Sequence, residues 1–117
     1  VTRHIFLKMK SRAQYNLNNK MKAIFITFDQ AHFEMVMGIL EHNNCRGFSY
    51  WENIQGRGSV KGEPHYGSHA WPSMNSAIIT MVEDRQVDTL LDLLHKLDNQ
   101  TPALGLRAFV WNIEKSI

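Results

Sequence analysis

Residues 76–94, SAIITMVEDRQVDTLLDLL, join a β-branched run directly to an amphipathic one. The stretch 76–82 is rich in Ile, Thr and Val, which fit a pleated, half-buried surface, and it predicts a strand. Asp84 then offers an oxygen to a helix start, and Val87, Leu90, Leu91 and Leu94 recur at one-face helical spacing. Asn99 to Pro102 stops that helix, and 106–113 predicts a closing strand. The same plan stands earlier in the chain. Along 22–28, Ile24, Ile26 and Phe28 share one face, with Ala23 and Phe25 on the other. Asp29 is the next N-cap candidate, Phe33, Val36, Met37 and Leu40 carry the helical period, and Asn43 and Asn44 close it. The stretch 46–54 alternates again through Phe48, Tyr50 and Ile54. Two such units predict an α+β fold, a ferredoxin-like βαββαβ sandwich. It has a four-stranded antiparallel sheet, two helices on one face and a long loop between strands 2 and 3.

The bulk numbers agree with one globular domain. A chain of 117 residues, 44% hydrophobic and 21% charged, is long enough to bury roughly two thirds of its unfolded surface. No apolar run approaches the ~18 residues of a membrane helix, and no leader-like segment is read. A lone cysteine, Cys45, makes no internal disulfide, so a reducing, cytoplasmic setting is expected. The net charge of +2 is uneven. Arg3, Lys8, Lys10, Arg12, Lys20 and Lys22 come before any acid. The rest of the chain has seven basic against eleven acidic residues, a net −4. The reading is a basic N-terminal extension over 1–20, solvated or able to touch a polyanion, and a domain over 21–117.

The alternation has a consequence for assembly. Phe25, Trp51, Ile78, Phe109 and Trp111 are expected on the sheet face turned away from the helices. An apolar face of that size needs a cover, and self-association is the simplest one.

The segment between the two units is GRGSVKGEPHYGSHAWPSMN, residues 56–75, with four glycines and two prolines. A connection of about 18 residues far exceeds the usual four to six, and loops of that length are functional or disordered. Gly56-Arg57-Gly58, followed by Lys61-Gly62, resembles the base of the T-loop in PII-type signal-transduction proteins. The span 21–117 is similar to that family in length, element order and loop position, and EDRQVDTLLDLL resembles its second helix. The resemblance implies a homotrimer with sheets facing inward and ligand clefts between subunits. It also implies a loop that docks on a target such as a membrane transporter or an enzyme. Gly56, Arg57, Gly58, Lys61 and Gly62 would hold a small anionic effector, with an adenine nucleotide as a candidate, since glycine-rich backbone can surround a phosphate or carboxylate. Thr101, Gly105 and Arg107 match part of the family's second phosphate-binding loop. Tyr66 and Trp71 would dock the partner.

The departures are specific. Tyr66 precedes Gly67 directly, so the family's tyrosine-arginine-glycine modification motif is missing. NQTPALGLRAFVW, 99–111, is shorter than the family loop and lacks its second glycine. The sequence ends at Ile117, before the position of the family's arginine-bearing tail, so a weaker grip on a triphosphate is expected.

Two other classes compete. Glu63, His65 and His69 could bind copper or zinc, as in trimers resembling the CutA-type proteins, which share the fold. The simpler reading leaves both histidines solvated in the loop. His42 and Cys45 form a His-x-x-Cys at a helix end, where Cys45 reads as a small buried hydrophobe. RGFSYW, 46–51, resembles an aromatic RNA-binding signature, but it stands on the second strand and the third carries no aromatic. Nucleic acid is therefore disfavoured. No nucleophile–base pair or diagnostic carboxylate pair is present, which points to a non-enzymatic regulator.

Overall fold

Alternation along Met21–Asp29 builds β1, and the computed structural model shows where the remaining elements pack around it. Residues 20–57, 60, 63–67 and 74–117 are described. A 3-10 turn, Gln30–His32, leads into α1, Phe33–His42. Then come β2, Phe48–Ile54, and the short strands β3, Gly56–Arg57, and β4, Pro64–His65. Next are β5, Asn75–Glu83, a 3-10 turn Asp84–Gln86, and α2, Val87–Gln100. A last 3-10 turn, Pro102–Leu104, precedes β6, Arg107–Asn112.

The main sheet has the order β2-β5-β1-β6, antiparallel throughout. The ferredoxin-like expectation holds. Ile24, Ile26, Phe28, Ile78 and Val82 from the sheet meet Val36, Leu40, Leu90, Leu94 and Leu97 from the helices in one core. The periodicity reads this face correctly because apolar residues two apart in a strand and three or four apart in a helix share a side.

Three sequence expectations change. Ile78 was placed on the open face, yet it pairs with Ile26, is fully buried and belongs to the helix-side core. Ile79, opposite Phe25, takes the open-face position. In a run as uniformly β-branched as 76–82, side-chain type does not reveal which residues point inward. The strand's pairing register does.

Asp84 is not the cap of the second helical segment. Glu83 is, in a reciprocal box: its side chain accepts from the Gln86 backbone, and the Gln86 side chain accepts from the Glu83 N–H at 3.0 Å. Asp84 lies one residue inside and pairs with Lys22 at 3.6 Å.

The third change concerns the long connection, which is not wholly irregular. Gly56 pairs with His65 and Arg57 with Pro64 in a two-stranded ladder, and Tyr66 bridges to Met74. A bulge between Trp51 and Ile54, with Asn53 at φ 57°, turns the end of β2 toward this small hairpin.

Candidate functional site

The chain gathers three features of interest around its sheet. The base of the long connection comes first. Asp29, the last residue of β1, accepts the Ala31 N–H with Oδ1 at 2.8 Å and so caps the turn into α1, as its position predicted. Its other oxygen, Oδ2, lies 2.8 Å from Nδ1 of His65, and both side chains are essentially sealed from solvent. The two atoms approach closely without the alignment of a hydrogen bond. Asn75 stands beside Asp29 in the ladder and is buried too.

This placement corrects the solvated reading of His65. Pairing with Gly56 carries the imidazole under the hairpin, away from water. Glu63 stays exposed, and His69 falls outside the described residues. Among the described residues no three His, Cys, Asp or Glu side chains gather as a metal cluster would need. Gly56 is half-buried, and a Cβ there would come within 3.0 Å of the Asn75 amide nitrogen, a close approach that favours glycine. Arg57 and Tyr66 are exposed. Gly58, Lys61, Gly62 and Trp71 lie outside the described residues.

The second feature is the turn before β6. Here the backbone donors are already engaged. Thr101 N–H donates to Asp98 C=O, Leu104 N–H to Thr101 C=O, and Gly105 N–H to Pro102 C=O, each at 3.1 Å. Gly105 sits at φ 70°, the left-handed conformation that turns the chain into β6 and suits glycine. Asp98 ties down the start of β6 with both oxygens: Oδ1 accepts the Leu106 N–H at 3.1 Å, and Oδ2 holds the Arg107 guanidinium at 3.2 Å. Arg107 also donates to the Leu106 carbonyl at 2.6 Å. A cavity of about 540 Å³ opens here between α2 and β6, floored by Leu91, Leu94, Leu106 and Ala108 and rimmed by His95, Asp98 and Arg107. Sequence reading named Arg107 and missed Asp98. The available signal was an acid in the last helical turn, nine residues before the arginine.

Within one chain the two halves of the expected effector site do not meet. The ladder sets Thr27 opposite both Ala77 and Arg107, so the end of β2 and the start of β6 share one end of the sheet. They occupy opposite edges, three strand spacings or about 14 Å apart.

The third feature is the open sheet face. Trp51, Met81, Phe109 and Trp111 are about half exposed there, and Phe25 and Trp111 approach with ring centroids 6.4 Å apart. Four large, half-exposed apolar side chains on one antiparallel face are the kind of surface that marks an interaction.

No protein-family model matches the sequence, and no curated protein matches it either. Solved structures do match. CPII, a nitrogen regulatory PII-like protein from Thiomonas intermedia K12 whose structure is bound to ADP, AMP and bicarbonate, is 22% identical at a TM-score of 0.65. The match covers 80% of this chain and 86% of that one. GlnK from B. subtilis, in complex with ATP, is 19% identical over 84% of this chain and 85% of its own, at 0.62. A PII-like signalling protein from Thermus thermophilus is 16% identical over 81% of this chain and 88% of its own, at 0.57.

The chain has the PII-like fold. Identities near 20% speak for the fold alone, and there they agree with the resemblance read from the loop base and the order of elements. The long connection lies where the sequence put it, between β2 and β5. Among the described residues no helix is long and apolar enough to cross a membrane.

Proposed function

We propose that this chain is a divergent PII-like regulator without enzymatic activity, working as a homotrimer in the cytoplasm. The observation that carries the reading is the open face of Trp51, Met81, Phe109 and Trp111 on a PII-like sheet whose other face is already covered. Packing three such faces inward gives each patch an apolar partner. It also brings the loop base of one subunit toward the β6 edge of the next, which a single chain holds about 14 Å apart.

That boundary is where a small anionic effector would bind, against Gly56–Gly62 of one subunit and Thr101, Gly105 and Arg107 of its neighbour. The solved relatives bound to ADP, AMP or ATP make an adenine nucleotide the first candidate. Arg107 already shares its charge with Asp98 through Nη1, and the turn's engaged amides must open to donate. Both conditions argue for weak binding, about micromolar or weaker. The loop, with Tyr66 and Trp71, would carry the response to a partner protein such as a transporter or an enzyme.

Sedimentation equilibrium tests the assembly. The expected mass is three times the 13.6 kDa chain, and a monomer at micromolar concentration would end the proposal. Calorimetry with ADP and ATP tests the site. Binding should weaken in Arg107→Ala and be indifferent to His69→Ala, whereas tight Zn²⁺ or Cu²⁺ binding with no nucleotide signal would favour the metal-binding class instead.

A further inference from the structure

The least satisfied polar group of the described core lies at the foot of the long connection. Asp29 Oδ2, both ring nitrogens of His65 and Asn75 Oδ1 are inaccessible to solvent and lack an aligned hydrogen-bond partner. Buried polar atoms are normally paired, and a partly satisfied cluster in a low-dielectric setting is costly to keep closed. Opening the hairpin would let water reach all of these atoms. Closing it keeps the 2.8 Å approach of Nδ1 to Oδ2 and the buried packing of Pro64 and His65. Two opposed contributions of this kind make a bistable element.

From this we infer that Asp29 and His65 form a conformational latch. While the pair is closed, β4 is held against the end of β1. When it opens, β4 parts from the end of β1 and takes its ladder partner β3 with it. The inference rests on the geometry of this one chain and does not depend on any effector or on trimer formation.

Three further contacts tie the latch to its surroundings. The Gln55 side-chain amide donates to the Tyr66 carbonyl at 2.7 Å, so the hairpin's two legs move together. Gln30 N–H donates to the Met74 carbonyl at 3.0 Å, which joins the far end of the connection to the turn that Asp29 caps. Asp29 itself serves both sides, with Oδ1 on the turn into α1 and Oδ2 on His65. Opening the latch therefore loosens the start of α1 along with β4. A side chain that only filled space would have no such double attachment.

Removing one partner of a buried polar pair leaves the other's polar atoms unmatched, whereas replacing both with groups that need no partner can be nearly neutral. This predicts a reversal of sign. Amide hydrogen exchange on the full chain, resolved by residue, reads it. In His65→Phe, exchange at Gly56, Arg57 and Gln30 should rise at least about tenfold while the amides of 76–82 stay protected. In Asp29→Ser/His65→Phe, where serine keeps the cap and neither Oδ2 nor the ring nitrogens remain to be matched, protection at those sites should return to the wild-type level or exceed it. Asp29→Ser, which keeps the cap and removes Oδ2, gives an independent opening variant should the phenylalanine not be accommodated. If exchange rises uniformly across the sheet, or if the double variant is looser than either single one, the pair is ordinary packing and the latch is wrong.

Discussion

One sheet presents two faces made by the same strands, and they have opposite fates. On the even-numbered side of β1, Ile24, Ile26 and Phe28 are fully buried beneath two helices. On the side that holds Phe25, β6 presents Phe109 and Trp111 at 55% and 47% exposure, although these are the larger side chains. Hydrophobicity does not separate the faces. What separates them is supply, because both helices of the described chain pack on one side. The covered face thus reports how the chain folds, and the open face is what the fold leaves uncovered.

The sharpest way to break this contrast is to charge the open face. Trp111→Asp would place an unpaired carboxylate inside any interface built there, so the assembly should be lost altogether. Trp111 is half exposed in the single chain, so the fold itself should survive. Sedimentation should show the single-chain mass alongside an unchanged far-ultraviolet circular dichroism spectrum. A trimer that tolerates Trp111→Asp would mean that this face is not the cover. Truncation on the other side should act on folding instead. Ile26→Ala removes a fully buried side chain from the centre of the core and should cost about 2–5 kcal/mol in urea unfolding. If it left stability unchanged and altered assembly, the two faces would have been assigned the wrong way round.

The sequence carried the element order because periods of two and 3.6 leave different marks on the apolar pattern, in β1 and both helices above all, and because 76–82 is β-branched enough to read as a strand without alternation. It misplaced Ile78 because four consecutive core-compatible residues, 77–80, give no alternation to read, and Thr80 on the buried side looks like an outward residue. The site was legible in part. Arg107 stood out as a cation before the last strand, but its partner Asp98 looked like one more helical acid. The pairing of Asp29 with His65 had no local signal at all. Thirty-five residues intervene, and the contact exists because β4 pairs with β3 in a connection that composition marks only as irregular. Long-range polar contacts are set by topology, and a pattern of side chains along one strand cannot announce them.

A milder substitution sharpens the contrast from within the covered face. Thr80 is fully buried there, and its hydroxyl donates to the Gly47 carbonyl at 2.8 Å, holding the chain just before β2. Thr80→Val keeps the shape and removes the donor, so unfolding should ease by about 1–3 kcal/mol as the carbonyl loses its partner. The same exchange at Thr27, on the open side, should cost less, because water can reach the groups it leaves. Equal costs at the two positions would mean that the open face is as dry as the core even in the isolated chain.

The smallest expected effect concerns Cys45, at the end of α1 on the covered side. It belongs to the core, and its thiol lies 3.5 Å from the Asn43 carbonyl. Burial pushes the thiol's pKa up, because the thiolate would lose its water. In the unfolded chain the group ionises near its ordinary value, about 8.5, so above that pH the unfolded state sheds the proton first. Linkage then fixes the sign. The folded protein keeps the full contribution of the neutral thiol below the ordinary thiol range and loses it as the pH rises through that range toward the raised folded value. Urea midpoints measured from pH 7 to 10 should therefore fall slightly more steeply for the wild type than for Cys45→Ala, which has nothing to ionise. The same burial should make alkylation by iodoacetamide slow in the folded protein and fast in urea. Parallel pH profiles with rapid labelling of the native chain would place Cys45 in water, and the boundary of the covered face would have to be redrawn at the end of α1.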